Sequence, residues 1–376
     1  MESSEDEEFY DGLGASFGPK RREDSPQHDN VFQERDQCQK KAEEFVAKCL
    51  KPAVEDFINR YLGLSIVDEM LKKKEFSTRV AFQYYILLDL LSKESFDDYL
   101  SFTSSYESFV KKWILQKIQE HFSSSSKTSE FENQHLETSV SYINEGIKKA
   151  KTLNRENVKT LVEDICKELG DKLVISQDAL GAFMILNNAD QNKFADYLTI
   201  SVIAMKISLR EKFKTSTFKD KRKCLHMQPQ DELFQRVIGC GKKCPFCAVP
   251  CEAGGEAHAQ HWASLHRPLG LNNYRCNMKL STDICSSLVE NDGCFRCPQT
   301  NIESHPYKRY REIFPDWDIF PDGSLEASDY WKYIMTKYND DFAKQYNAEP
   351  ADIPSPWRKI THQQAEESLK KSFYMK

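Results

Sequence analysis

Hydrophobic residues recur with helical spacing along the first two thirds of the chain. One stripe has the i, i+3, i+4, i+7, i+8 spacing of a single helix face and consists of Val54, Phe57, Ile58, Tyr61 and Leu62. Pro52 precedes this stripe at a point where the start of a helix tolerates proline. Further stripes run from Val110 to Ile118 and from Leu161 to Leu169, where Gly170 can end the helix. The pattern predicts a mainly α fold with a helical domain over residues 31–235.

The segment from Phe194 to Leu209 is apolar on nearly every side. Its β-branched residues would suit a strand, but it is longer than an ordinary strand and leads into the charged stretch LREKFK. We therefore expect a buried helix. A basic run follows, formed by Lys212, Lys214, Lys219, Lys221, Arg222 and Lys223. The default interpretation of such a run is a solvated linker, and the alternatives are contact with nucleic acid, a nuclear import signal or contact with an anionic membrane surface.

The two ends of the chain differ in composition. Residues 1–30 are acidic and rich in Gly, Ser and Pro, so they predict a disordered tail. Residues 307–376 are rich in aromatic residues and predict a helical segment that packs on the preceding module. A helix should start after Ser328, and a last helix should be capped by Thr361 with Gln364 as its capping-box partner.

The overall composition narrows the class of protein. A chain of 376 residues with 40% hydrophobic residues can form about two or three domains, and a net charge of −6 argues against wholesale binding to nucleic acid. The sequence has no apolar N-terminal signal and no apolar run long enough for a bilayer. We therefore expect a soluble, intracellular protein. In such a compartment its 12 cysteines are better interpreted as thiols and metal ligands than as disulfides.

Four cysteines and three histidines lie between Cys240 and His266. Cys244 and Cys247 form C-x2-C, His261 and His266 form H-x4-H, and the separation of the two pairs is typical of structural zinc sites. We predict that these four residues bind one structural Zn²⁺ within a module spanning residues 236–306. Cys240, Cys251 and His258 are alternates that could replace one of these four ligands. Cys251 is the strongest alternate.

A second metal site is a further candidate. Its potential ligands are Cys276, Cys285, Cys294, Cys297 and His305, among which Cys294 and Cys297 repeat C-x2-C. The other spacings are irregular. Cys285 has the alternative interpretation of a small buried hydrophobic residue.

Four other functions remain alternatives to a structural zinc module. A nucleic-acid-binding C2H2 finger would need a basic helix between its ligand pairs, where this chain has AVPCEAGGEAHAQ. A zinc-dependent enzyme would need an open coordination position with Glu252 or Glu256 as its base, and a cysteine nucleophile would need a pair such as Cys285 and His305. A ubiquitin-transfer protein of the paired-zinc type would need eight ordered ligands.

Several blocks of the sequence together resemble a known family. In chain order they are GCGKKCPFCAVPC, HWASLHRPLGLNNYR, LSTDICSSLV, HPYKRYREIFPDWDIFPD, ASDYWKYIMTKYNDDFAKQYNAEPADIPSPW and ITHQQAEESLKK. They are similar to the C-terminal end of the interferon-inducible very large GTPases, from about residue 224 onwards. The resemblance implies large cytosolic and nuclear proteins with a central GTP-binding domain, and protein partners such as a second copy or related GTPases.

The chain departs from that family at the nucleotide site. It contains no G-x4-G-K-[ST] phosphate loop, since Lys243 follows Gly241 and Lys242. We therefore assign it no catalytic and no nucleotide-binding residue, and predict a non-catalytic interaction or assembly module linked to host defence. A truncated relative and a stand-alone protein both fit the sequence.

Overall fold

A computed structural model describes residues 37–123, 126–153, 157–183, 190–253, 258–276, 278–297, 302–323 and 325–375. The predicted acidic tail, residues 1–30, lies outside them, as does Glu256.

Helices dominate the described residues, which confirms the predicted mainly α class. They are α1 (37–45), α2 (Lys51–Leu71), α3 (Arg79–Lys93), α4 (Phe96–Ser104), α5 (Tyr106–Phe122), α6 (Lys127–Thr152), α7 (Val158–Leu169), α8 (Gln177–Phe183), α9 (Gln191–Thr215), α10 (Phe218–Lys223), α11 (Pro229–Ile238), α12 (Cys285–Leu288), α13 (Asp329–Lys337), α14 (Asn339–Tyr346) and α15 (His362–Ser372). No helix in the described part of the chain is long and apolar enough to cross a bilayer.

In the part of the chain that the structure describes, six short strands form three two-stranded sheets. The strands are β1 (His261–Trp262), β2 (Arg275–Cys276), β3 (Lys279–Leu280), β4 (Cys294–Cys297), β5 (Ile302–Pro306) and β6 (Trp317–Asp318). β1 pairs with β6 in parallel, whereas β2–β3 and β4–β5 are antiparallel. Sheets this small hold local loops in place and do not form a layer of the fold.

The chain divides into two compact units. Unit 1 contains the described residues up to Ala53 together with those of Ser141–Met205. Its aromatic contacts include Phe183, whose ring centroid lies 4.9 Å from that of Phe45 and 6.2 Å from that of Phe194. The helix face predicted from Leu161 to Leu169 packs here, and Gly170 caps α7.

Unit 2 contains Val54–Val140 and Lys206–Lys376, and its described residues include two hydrophobic clusters. The larger cluster contains side chains of α2, α3, α4, α5 and α11 together with side chains of the C-terminal helices α13, α14 and α15. In it the Tyr330 hydroxyl lies 3.1 Å from the Tyr99 hydroxyl and donates a hydrogen bond to the carbonyl of Leu87. The predicted domain boundaries at 235/236 and 306/307 both fall inside unit 2.

The smaller cluster forms the core of the Cys/His-rich region. Phe246 is completely buried at its centre, and its ring centroid lies 4.9 Å from that of Phe295 and 5.2 Å from that of Tyr307. Tyr310 and Trp317 are buried in the same cluster. The first part of the aromatic-rich segment therefore packs on the module, whereas Tyr330 and Trp331 pack in the larger cluster.

Three helices differ in detail from their sequence-based predictions. Pro52 does not start a helix, because α1 continues into α2 through a π-helical turn at Val46–Leu50. This irregular turn comes just before Pro52, which has no backbone N–H to donate. The helix that starts after Ser328 is interrupted at Tyr338, where α13 ends and α14 begins. On α9 one face is buried as predicted, but Ile200, Ile203 and Ile207 are exposed.

The basic run also contains one buried member. Lys221 donates to the Glu132 carboxylate at 2.6 Å and to the carbonyl of Phe213 at 2.8 Å, and both charged side chains are almost fully buried. Lys212 and Lys223 are exposed and form ion pairs. The solvated-linker interpretation is therefore wrong for Lys221, whose burial requires a paired charge.

Candidate metal centre

A short hairpin carries four of the cysteines. Lys243 forms a bridge with Pro250, the Cys244 N–H donates to the carbonyl of Val249 at 2.8 Å, and the Cys251 N–H donates to the carbonyl of Lys242 at 2.8 Å. The Ala248 N–H closes the turn by donating to the carbonyl of Cys244. This backbone places Cys244 and Cys247 at the turn, and Cys240 and Cys251 at the open end of the hairpin.

The inner group consists of Cys244, Cys247, His266 and Cys285, whose ligand atoms all lie within 4.8 Å of one another. The Sγ atoms of Cys244 and Cys285 are 3.7 Å apart, and Cys247 Sγ lies 3.3 Å from His266 Nδ1. Two ligand atoms of a tetrahedral zinc ion are about 3.3–3.8 Å apart, given Zn–S of about 2.3 Å and Zn–N of about 2.0–2.1 Å. All four residues are buried, so the inner group could hold a metal ion away from water.

The ionisation of each thiol in the inner group depends on its neighbours. Burial raises the pKa of the Cys247 thiol. Hydrogen bonds with Cys244 and Cys285, and the charge of the neighbouring His266, have a larger effect and hold this pKa well below its usual value. Burial and the neighbouring thiols of Cys244 and Cys247 raise the pKa of Cys285 well above its usual value. Protein groups alone therefore favour ionisation of one thiol at the expense of another. A bound divalent cation would stabilise all the thiolates together.

Arg267 is buried next to the inner group. Its Nε donates to the carbonyl of Cys247 at 2.7 Å, and its guanidinium lies 6.0 Å from the ring centroid of Phe102 and 5.9 Å from that of Trp331. Asn272 donates to the carbonyl of Phe246 at 2.9 Å. These two side chains hold the turn of the hairpin through its backbone carbonyls.

The outer group consists of Cys240, Cys251, His258 and His261, with all ligand atoms again within 4.8 Å of one another. Cys240 Sγ lies 3.6 Å from His261 Nδ1, Cys251 Sγ lies 3.4 Å from His258 Nε2, and the two histidine nitrogens are 3.0 Å apart. Cys251 and His261 are buried, whereas Cys240 and His258 are partly exposed.

The structure distributes the predicted ligands over two groups. Cys244, Cys247 and His266 lie together as predicted, but His261 lies with the three residues considered as alternates. The fourth member of the inner group is Cys285 instead of His261, although the sequence analysis assigned Cys285 to a second site. His261 is separated from the inner group because β1 pairs with β6 and directs it to the open end of the hairpin.

Among the described side chains of the predicted second site, Cys276, Cys294 and His305 join neither group. Cys276 and Cys294 are exposed, and the side chain of Cys297 lies outside the described residues. His305 Nε2 lies 2.9 Å from the carbonyl of Arg309 and 3.7 Å from the Glu312 carboxylate. The structure therefore does not bring Cys285 and His305 together as a nucleophile and base.

Glu252 has local hydrogen-bond partners. Its carboxylate accepts from the backbone N–H of Ser264 at 3.0 Å and from the Ser264 hydroxyl at 2.5 Å. These bonds hold the carboxylate on the neighbouring loop.

Comparisons with known proteins converge on the same region. Residues 240–369 match the family model for the C-terminal domain of interferon-induced very large GTPase 1. Interferon-induced very large GTPase 1 of Homo sapiens is 25% identical over 308 residues, which cover 78% of this chain and 12% of that protein. The protein of the same name from Mus musculus is 26% identical over 341 residues, which cover 86% of this chain and 14% of that protein. No solved structure matches the chain.

The chain thus spans only a small part of the length of these relatives. The matched region contains the hairpin, both Cys/His groups and the C-terminal helices. The resemblance inferred from the sequence blocks is confirmed: the chain is related to the interferon-induced very large GTPases, and its residues 240–369 correspond to their C-terminal domain.

Proposed function

We propose that the chain is a non-catalytic zinc-binding module that acts as an interaction or assembly element in very large GTPases. The observation that carries this proposal is the inner group, in which four buried ligand atoms lie within 4.8 Å of one another and two of their separations, 3.3 and 3.7 Å, match those around a tetrahedral zinc ion. One structural Zn²⁺ bound by Cys244, Cys247, His266 and Cys285 would join the hairpin to α12.

Zinc is the metal that best suits this set of ligands. Thiolate and imidazole are soft or borderline ligands, and four protein ligands fill a tetrahedral shell without leaving a position for substrate. A zinc ion with three thiolates carries one net negative charge. The guanidinium of Arg267, buried next to Cys247, supplies a balancing positive charge.

The alternative functions have less support. The described residues between Cys247 and His261 contain no helix, whereas a C2H2 finger presents its reading helix at that place. Glu252 is held by Ser264 and has the geometry of a loop-fixing residue. Ubiquitin transfer has no specific observation in its favour.

The proposed partners are proteins: a second copy of the chain or related GTPases, in the cytoplasm and also in the nucleus. This part of the proposal rests on the relationship to very large GTPases. Since the chain contains no phosphate loop, we expect no measurable affinity for GTP or ATP. Micromolar GTP affinity in a calorimetric titration would contradict a non-catalytic role.

Zinc content tests the central claim. Full-length protein, purified under reducing conditions, should contain zinc by elemental analysis. Cys285→Ser should remove the zinc of the inner group and lower the thermal stability of unit 2, because structural zinc binding contributes folding free energy. Cys294→Ser is the matched control, since Cys294 is exposed and lies in neither group. Equal zinc content in the two variants would show that Cys285 is not a ligand.

A further inference from the structure

We propose that the outer group, Cys240, Cys251, His258 and His261, holds a second Zn²⁺ that ties the open end of the hairpin to the aromatic-rich segment. This inference deepens the proposed function, but it rests on four different ligands and can fail independently of it.

The first support is the convergence of the ligand atoms. The two Sγ–N distances of 3.4 and 3.6 Å lie within the range of about 3.3–3.8 Å expected around tetrahedral zinc, and the N–N distance of 3.0 Å is slightly shorter. Separate cysteine–histidine hydrogen bonds would explain each pair alone. They would not require all four atoms to meet, whereas a shared cation would.

The second support is the environment of His261. Its Nδ1 faces the outer group, while Nε2 lies 3.5 Å from the Asp316 carboxylate. The His261 N–H also donates to the carbonyl of Asp316 at 2.7 Å, next to the β1–β6 pairing. A carboxylate on the far nitrogen is the usual way in which proteins orient a zinc-bound histidine. Asp316 is therefore a positioning residue for this site.

The order of the ligands along the chain explains what a second ion would do. The hairpin supplies Cys244 and Cys247 to the inner group and Cys240 and Cys251 to the outer group. The outer group then takes two histidines, one of which lies on β1. Because β1 pairs with β6, the outer ion would anchor Trp317 and Asp318 to the hairpin.

The two groups differ in their access to solvent. All inner ligands are buried, whereas Cys240 and His258 are partly exposed. A chelator should therefore remove the outer ion before the inner ion. Two kinetic phases of zinc release, each corresponding to one ion, are the expected behaviour of the full chain.

Native mass spectrometry of the full-length protein loaded with zinc provides the test. We expect two ions per chain, one ion in Cys240→Ser, one ion in Cys285→Ser, and two ions in the control Cys224→Ser, whose cysteine is exposed and lies in neither group. Cobalt substitution identifies the remaining site. Cys240→Ser should leave a three-thiolate spectrum, and Cys285→Ser should leave a weaker two-thiolate spectrum.

A milder variant covers the case in which Cys240→Ser does not fold. Asp316→Asn keeps all ligands and should lower the affinity for the outer ion by about 10–100-fold in chelator competition. The slow phase, which is release of the inner ion, should not change. A single slow phase in the wild-type protein, or no effect of Asp316→Asn on either phase, would overturn the inference.

The stoichiometry separates this inference from the proposed function. One ion that survives Cys240→Ser and is lost in Cys285→Ser would overturn the second site and leave the proposed function intact. One ion that is lost in Cys240→Ser and survives in Cys285→Ser would place the metal in the outer group and overturn the inner zinc site. No bound zinc would overturn both.

Discussion

Arg267 connects the inner group to the helical core at the level of a single side chain. It is 2% exposed, and its contacts are the carbonyl of Cys247 and the faces of Phe102 and Trp331. Burial lowers the pKa of this guanidinium, and the neighbouring cysteines oppose the shift. An arginine is tolerated in such a place only if nearby negative charge and hydrogen bonds replace its hydration.

Arg267→Met should therefore destabilise both the fold and the metal site. The variant removes the hydrogen bond to the Cys247 carbonyl and would leave the net negative charge of the proposed zinc–thiolate site without its counterpart. We expect a loss of about 3–5 kcal/mol in the free energy of unfolding and a lower zinc affinity. Urea unfolding and chelator competition measure these two effects. Arg358→Met, at an exposed position, is the control, and equal behaviour of the two variants would contradict the assigned role.

At the level of elements, local patterns were predictable and long-range partners were not. The capping box of α15 forms as predicted, since Thr361 accepts from the Gln364 N–H and Gln364 accepts from the Thr361 N–H. C-x2-C also predicted that Cys244 and Cys247 share a group, because one turn determines their distance. Cys285 lies on α12, 19 residues after His266, and no local spacing indicates that contact. The assignment of His261 depended on the pairing of β1 with β6, which joins residues far apart in the sequence.

Three helices meet at Glu69, and their junction should be sensitive to pH. Glu69 of α2 accepts hydrogen bonds from Lys127 at the start of α6 and from Lys72, and His121 of α5 lies 3.5 Å away. The hydrogen bond from Lys127 lowers the pKa of Glu69 from 4.5 to about 2. Since the pKa is lower in the folded state, the ionised carboxylate stabilises the fold above about pH 4.5, and this contribution is lost as the pH falls toward 2.

Glu69→Gln should accordingly lower the free energy of unfolding by about 1–3 kcal/mol at neutral pH. The difference between the wild type and the variant should shrink between about pH 5 and pH 2. Urea unfolding of both proteins across this range measures it. The control is Glu120→Gln, which removes a more exposed carboxylate of α5 that pairs with Lys117. A difference that does not depend on pH would show that Glu69 acts through packing and not through charge.

At the level of the whole molecule, unit 2 combines segments that the sequence treated as separate domains. The larger hydrophobic cluster contains helices from the first half of the chain together with Tyr330 and Trp331. The smaller cluster contains the hairpin together with Tyr307 and Trp317. Aromatic density alone predicted that these residues are buried, but it did not divide them between two clusters. Phe320, in the same aromatic-rich stretch, is 72% exposed.

This division predicts different consequences for two tryptophan variants. Trp317→Ala removes a buried ring from the smaller cluster, next to His261. It should accelerate proteolysis at 240–266 and the release of the outer ion. Trp331→Ala removes a ring from the larger cluster and should lower the free energy of unfolding of unit 2 by about 3–5 kcal/mol.

Limited proteolysis, zinc release and urea unfolding of both variants distinguish the two effects, with Phe320→Ala as an exposed aromatic control. Phe320→Ala should change stability by less than about 0.5 kcal/mol, because little of its ring leaves water on folding. Trp331→Ala should also speed loss of the inner ion more than loss of the outer ion, because Trp331 contacts Arg267. If Trp317→Ala left both the proteolysis pattern and the release of the outer ion unchanged, β6 would not anchor the hairpin, and the link between the aromatic-rich segment and the metal centre would have to be abandoned.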